Sequence, residues 1–247
     1  MASDSAQGQE TTKSAKVTGS TRDGSIASQA GALAAAHAQA PAGGGRFDPP
    51  QDQLSPQQRA RIDEQLARNV ARLRHEGKLA PVAPFPLPLQ GGLQWPLRAA
   101  AGQTDPAYHG ISNFVDLDPA YPDALLDWNC GERTYDLDDG YNHGGIDLFL
   151  WPFAWLRMDQ QAVDIVAAAP GTIIGKTDGN DDRSCPDHYS ADWNAVYVQH
   201  GDGSVAWYGH MKKFSLTSKP VGASVAVGEF LGKVGSAGFS TGPHLHF

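Results

Sequence analysis

The chain has no block of Lys and Arg. Its 19 basic residues are scattered and outnumbered by 27 acidic ones, for a formal net charge of −8. A surface of that sign does not track phosphates, so nucleic acid is not an expected partner. No apolar run approaches the roughly 20 residues that a helix needs to cross a bilayer, so no transmembrane segment is expected. Only two cysteines occur, Cys130 and Cys185. Neither lies in a CxxC pair, which argues against a thiolate zinc site. Residues 1–50 are nearly devoid of large apolar side chains and rich in Ala, Gly, Ser, Gln and Thr. Such a stretch cannot offset the entropy of ordering, and we expect a disordered tail there. Within it, Ala32–Ala40 is weakly apolar and ends in Ala-Gln-Ala. It is short and contains His37, so a low-complexity spacer is the better reading than a signal peptide. No internal repeat is present.

What the chain does have begins near residue 51. Ser55-Pro56 supplies an N-cap followed by proline at the first helical position. Ile62, Leu66, Val70 and Leu73 then recur at helical spacing, and Gly77 suits the position just past the end. We expect an amphipathic helix within 51–80, either docked on the domain or facing a partner helix. Pro81, Pro84, Pro86 and Pro88 make 81–98 a stiff linker, with Leu93–Leu97 as an edge segment where a folded domain over 99–247 begins. Short strand signals follow at Ile111–Val115, 144–151, Val163–Ala168, Thr172–Ile174 and Leu231–Gly235. Ala195–Gln199 and Ser204–His210 form a hairpin across Gly201-Asp202-Gly203. That hairpin would put Tyr208 and His210 on one face, with His200 structural. Trp151, Phe153 and Trp155 are read as core or groove wall. Residues 178–192 form a polar loop without EF-hand spacing.

Chemistry concentrates in two places. At the end of the chain, His244-Leu245-His246 places two imidazoles two residues apart. On a strand both share one face, while Leu245 and Phe247 take the other. About a hundred residues upstream, His143 and Asp147 are separated by Gly144-Gly145-Ile146. The two glycines disfavour a helix, so this is a loop entering a strand. Two imidazoles and a carboxylate are a frequent ligand set for catalytic zinc, leaving a fourth position for water or substrate.

The segments His143-Gly-Gly-Ile-Asp147, Ala168-Ala-Pro-Gly-Thr-Ile173, Tyr208-Gly-His210 and Gly235–Phe247 stand in the order found in the LytM/lysostaphin-type zinc peptidases. The last hundred residues resemble that family, M23. The resemblance implies a mostly β fold, an antiparallel peptidase domain. It also implies a zinc endopeptidase acting on peptidoglycan, secreted or periplasmic. By the same resemblance His143, Asp147 and His246 would be the zinc ligands, and His210 and His244 the catalytic histidines. The export it implies points to a disulfide between Cys130 and Cys185, which count alone leaves open. Residues 99–142 and 175–194 depart from the shortest members and resemble a subgroup with longer loops. The family strand continues past the position of Phe247, so a fragment of a longer protein is expected. Two other readings stand beside the enzyme: a catalytically silent module that binds and activates a cell-wall hydrolase, and a zinc peptidase acting on proteins.

Overall fold

In a computed structural model, residues 54–82, 89, 91–115, 143–183 and 192–247 are described. The expected tail over 1–50, residues 83–88 and 90 of the Pro-rich linker, and both Cys130 and Cys185 lie outside the described residues. Among the described residues the first element is helix α1, Pro56–His75. Ser55 closes a capping box: its Oγ accepts from the Gln58 N–H at 3.2 Å, and Gln58 Oε1 accepts from the Ser55 N–H at 2.9 Å. Gly77 follows the C-cap with φ 68°, the left-handed region that favours glycine.

Among the described residues ten strands follow α1: β1 Leu97–Ala99, β2 His109–Asn113, β3 Asp147–Leu150, β4 Val163–Val166, β5 Gly171–Thr177, β6 Ala195–His200, β7 Val205–Tyr208, β8 Ser224–Val225, β9 Phe230–Lys233 and β10 His244–His246. A short helix α2, Ala154–Asp159, separates β3 from β4. The strands form three sheets, ordered β1-β4-β9, β10-β3-β2 and β7-β6-β5-β8, and every pairing is antiparallel. The mostly antiparallel β architecture is the expected one. β1 straddles the expected domain boundary at 98/99 and is an edge strand, with the Pro96 carbonyl accepting from Val166 N–H at 2.8 Å.

The two faces of the β5–β6–β7 sheet explain its layers. Alternation along β6 sends Val196 and Val198 into a core with Leu148, Ile165, Ile173, Tyr208, Leu231 and Leu245. Ala195 and Tyr197 point the other way and pack with Trp193 and Ile174 against Leu66 and Leu73 of α1. Asn69 of α1 also donates to the Ile174 carbonyl at 2.9 Å. Of the two options for the helix, docking on the domain is the one realised.

Three local expectations are corrected. β2 begins two residues earlier than expected and ends at Asn113. Trp151, Phe153 and Trp155 are not core: they are 43%, 76% and 38% exposed, because α2 turns the chain outward straight after β3. Tyr208 and His210 do not share a strand face. β7 stops at Tyr208, and His210 has φ 55°, so the two-residue alternation is broken between them. Tyr208 instead lies in the core, where its hydroxyl accepts from the Ala168 N–H at 2.8 Å. His200 is buried on the Pro170 carbonyl at 2.9 Å, a structural placement.

Candidate metal centre

β3 and β10 pair in a register that sets His246 opposite Asp147 and Leu245 opposite Leu148. The period-two rule then acts on both strands together. Leu245 and Leu148 enter the core, and His244 and His246 lie on the other face with Asp147. The end of β10 is held on both sides. Ile146 and Phe247 exchange backbone hydrogen bonds at 2.7 and 2.9 Å, and the Gly209 N–H donates to the His246 carbonyl at 2.9 Å. A Cβ at Gly145 would stand 2.7 Å from His246 Nε2 and 2.7 Å from the Phe247 carbonyl oxygen, so only glycine admits this approach.

Around the Asp147 carboxylate, His143 Nε2 lies 3.2 Å from Oδ2, and His246 Nδ1 lies 3.1 Å from Oδ1. His244 Nε2 stands 3.7 Å from Oδ1. His143, Asp147 and His246 are all buried, and one ligand atom from each can be chosen so that all lie within 4.8 Å of one another. His210 completes the group, its ring centroid 4.4 Å from that of His244.

Three of the four histidines are oriented by one device. Nδ1 of His143 lies 2.8 Å from the Phe114 carbonyl, that of His210 2.6 Å from the Ala237 carbonyl, and that of His244 2.7 Å from the Gly242 carbonyl. A carbonyl only accepts, so in the neutral ring Nδ1 carries the proton and Nε2 presents a lone pair. His246 differs, because its Nδ1 faces the carboxylate.

The electrostatics agree with a centre built for cationic neighbours. Burial pushes the Asp147 carboxyl up, but the charge on His244 and the hydrogen bonds from His143 and His246 outweigh it and hold the group well below the usual carboxylate range. Burial holds His210 well below the ordinary histidine value, with the neighbouring His244 and His246 adding to the effect. Burial also lowers His246, against the opposing pull of Asp147. An ionised Asp147 and a neutral His246 are the protonation states that metal ligation requires. The donor set is two imidazole nitrogens and one carboxylate oxygen, with a carbonyl behind His143 to fix its tautomer. These residues fit zinc.

Every site residue singled out in the sequence stands in this group. Other contributors carried no signal read as functional. Trp193 packs edge-on against His210 and at 5.6 Å from His246, and its Nε1–H donates to the Tyr197 hydroxyl at 2.9 Å. Asn113 Nδ2 donates to Asp147 Oδ2 at 2.8 Å. Ser240 Oγ donates to the Gly242 carbonyl at 2.9 Å and lies 3.3 Å from His244 Nδ1. Nothing in their local sequence separates them from ordinary strand and loop residues. Arg59 of α1 lies at the rim, over the Trp207 ring at 5.3 Å and against Gly144.

An antiparallel β domain thus carries a buried His–Asp–His group that could hold a metal ion, flanked by two further histidines. The model of peptidase family M23 matches residues 142–247, and this part of the chain is similar to that family. Among curated relatives, the glycyl-glycine endopeptidase ALE-1 of Staphylococcus capitis is 49% identical over 116 residues, covering 44% of this chain and 25% of that protein. The DD-carboxypeptidase/endopeptidase Mpg of Neisseria meningitidis serogroup B is 44% identical over 54 residues, 22% of this chain and 12% of that protein. The chain thus matches a quarter or less of the length of these relatives. Among solved structures, the catalytic domain of lysostaphin from Staphylococcus simulans is similar at 27% identity and a TM-score of 0.31, covering 44% of this chain and 66% of that one. A zinc-containing peptidase from Vibrio cholerae is similar at 20% identity and a TM-score of 0.36, covering 62% of this chain and 35% of that one.

Proposed function

We propose that this protein is an exported zinc metalloendopeptidase that hydrolyses peptide bonds in bacterial peptidoglycan. The observation that carries the reading is the buried group of His143, Asp147 and His246 with the rings of His210 and His244 turned to it, inside a segment similar to the M23 family. The two curated relatives are named for endopeptidase activity, which supports an endopeptidase here. No helix among the described residues is long and apolar enough to cross a membrane.

His143 Nε2, an Asp147 oxygen and His246 Nδ1 would hold the ion. Zinc, when bound, polarises a carbonyl and activates water near neutral pH. The remaining work belongs to the chain. His210 and His244 each have Nδ1 tied to a carbonyl, which leaves Nε2 as the nitrogen for proton transfer. In its neutral form such a nitrogen accepts a proton from the attacking water and returns it to the departing amine, a contribution of about 10²–10⁴ in rate. In its protonated form the same nitrogen donates to the developing oxyanion. Trp193 closes one side and excludes water from the histidine rings.

The test is incubation of the zinc-loaded protein with two kinds of purified sacculi, one directly cross-linked and one glycine-bridged, followed by mass analysis of the released muropeptides. New amino termini within the peptide part of either wall are expected, lost on chelation and regained with zinc. Zinc binding without cleavage of either wall would overturn the enzyme reading in favour of a silent binding module. Cleavage of unrelated proteins but not of walls would overturn the substrate.

A further inference from the structure

β2 contains a bulge at the point where it passes the candidate metal centre. Ile111 pairs with Leu148, but the next pair is Asn113 with Asp147. Ser112 is the extra residue; in an unbroken ladder it would stand opposite Asp147. The bulge replaces it with Asn113, so that two side chains on one face meet across the strands. Asn113 Nδ2 then donates to Asp147 Oδ2 at 2.8 Å. The following residue, Phe114, places its carbonyl 2.8 Å from His143 Nδ1. Two consecutive residues of one strand end therefore hold the two upstream members of the group, one through a side chain and one through the backbone.

We infer that Asn113 is a positioning residue of the metal centre, keeping the Asp147 carboxylate turned for ligation. This rests on the zinc reading of the site. The argument is one of donors. The Asp147 carboxylate receives His143 Nε2 on Oδ2 and His246 Nδ1 on Oδ1. As ligands those nitrogens would turn their lone pairs to the ion, so neither would serve the carboxylate as a donor. The Asn113 amide has no proton to lose in this range and remains on Oδ2 throughout. It fixes the rotation of a buried carboxylate in both states and spares the ion the cost of reorienting it. Losing such an outer partner typically weakens metal affinity about 10- to 100-fold.

The test measures zinc affinity by competition with a chromogenic chelator, and thermal unfolding of the zinc-free protein, for the wild type, Asn113→Leu and Asn113→Ala. Leucine has nearly the shape of asparagine without the donor; alanine removes both. Both variants are expected to bind zinc about 10- to 100-fold more weakly while the zinc-free proteins unfold close to the wild-type temperature. If Leu restores wild-type affinity and Ala does not, side-chain volume rather than the donor matters and the inference falls. If both variants bind zinc as tightly as the wild type, it falls while the zinc reading stands. If the wild type itself binds no zinc, both fall together.

Discussion

Replacing Leu73 with Ala tests whether α1 is an integral layer of the domain. Leu73 has no exposed surface and lies near the C-terminal end of the α1 stripe, in the cluster with Ile174, Ala195 and Tyr197. The substitution deletes three carbons. At ~0.8 kcal/mol per buried methylene the transfer loss is about 2.4 kcal/mol. The residual cavity adds to this, because strands β5 and β6 are tied into two sheet pairings and collapse poorly, giving a total of about 3–4 kcal/mol. For a chain of this size that lowers the melting temperature by on the order of 10 °C. Urea unfolding followed by tryptophan fluorescence reads it directly, since Trp193 and Trp207 both face this layer. Arg74→Ala, on the exposed side of the same turn, is the control and is expected to change stability by less than about 0.5 kcal/mol. A Leu73→Ala loss below about 1 kcal/mol would refute the reasoning, because no docked helix gives up a fully buried leucine so cheaply.

His246→Ala should lose both zinc and activity, whereas His244→Ala should keep about one zinc per chain and lose activity roughly a hundredfold or more; metal analysis and a wall-hydrolysis assay on the same preparations decide it, and the reverse pattern would exchange their roles. His210→Asn, chosen because asparagine tolerates the left-handed backbone, should likewise keep zinc and lose turnover. His210 has its folded-state pKa held below the ordinary value of 6.5 by burial. As pH falls below that value the unfolded chain takes up a proton that the fold refuses, so zinc-free stability declines with falling pH. His210→Asn should lessen that slope, leaving the part due to His246, whose pKa is also lowered; an unchanged slope would show that His210 is not held neutral. Gly209→Ala would place a Cβ 2.4 Å from Cζ3 of Trp193, a buried ring, and should cost ~1–3 kcal/mol along with activity; an unchanged melting temperature would mean that Trp193 is not wedged as described.

Local signals were readable where one or two neighbouring residues decide the outcome. Ser55-Pro56 and Gly77 bracket α1 because capping and left-handed termination act within a single turn. The hairpin across Gly201-Asp202-Gly203 was readable for the same reason. The His-Leu-His alternation put both imidazoles on one face before any partner was known. It could not say what they face.

That answer depends on register. His246 and Asp147 are 99 positions apart and meet because β10 pairs with β3 in one frame; a slip of one residue would turn the histidines into the core. The same long-range choice brought in Asn113, through a bulge that no residue type announces. It also brought in Trp193, which reaches the site because Gly209 and Gly238 leave room for its ring. The aromatic run at 151–155 shows the converse. Its composition resembles core, yet α2 carries it to the surface, because burial is set by which neighbours the chain finds and not by hydrophobicity alone. Amino-acid type and short spacing determined the helix ends, the alternation and the chemistry available in the five candidate residues. Strand register and layer packing, which sum many weak contacts over a hundred residues, decided that those five converge and what orients them.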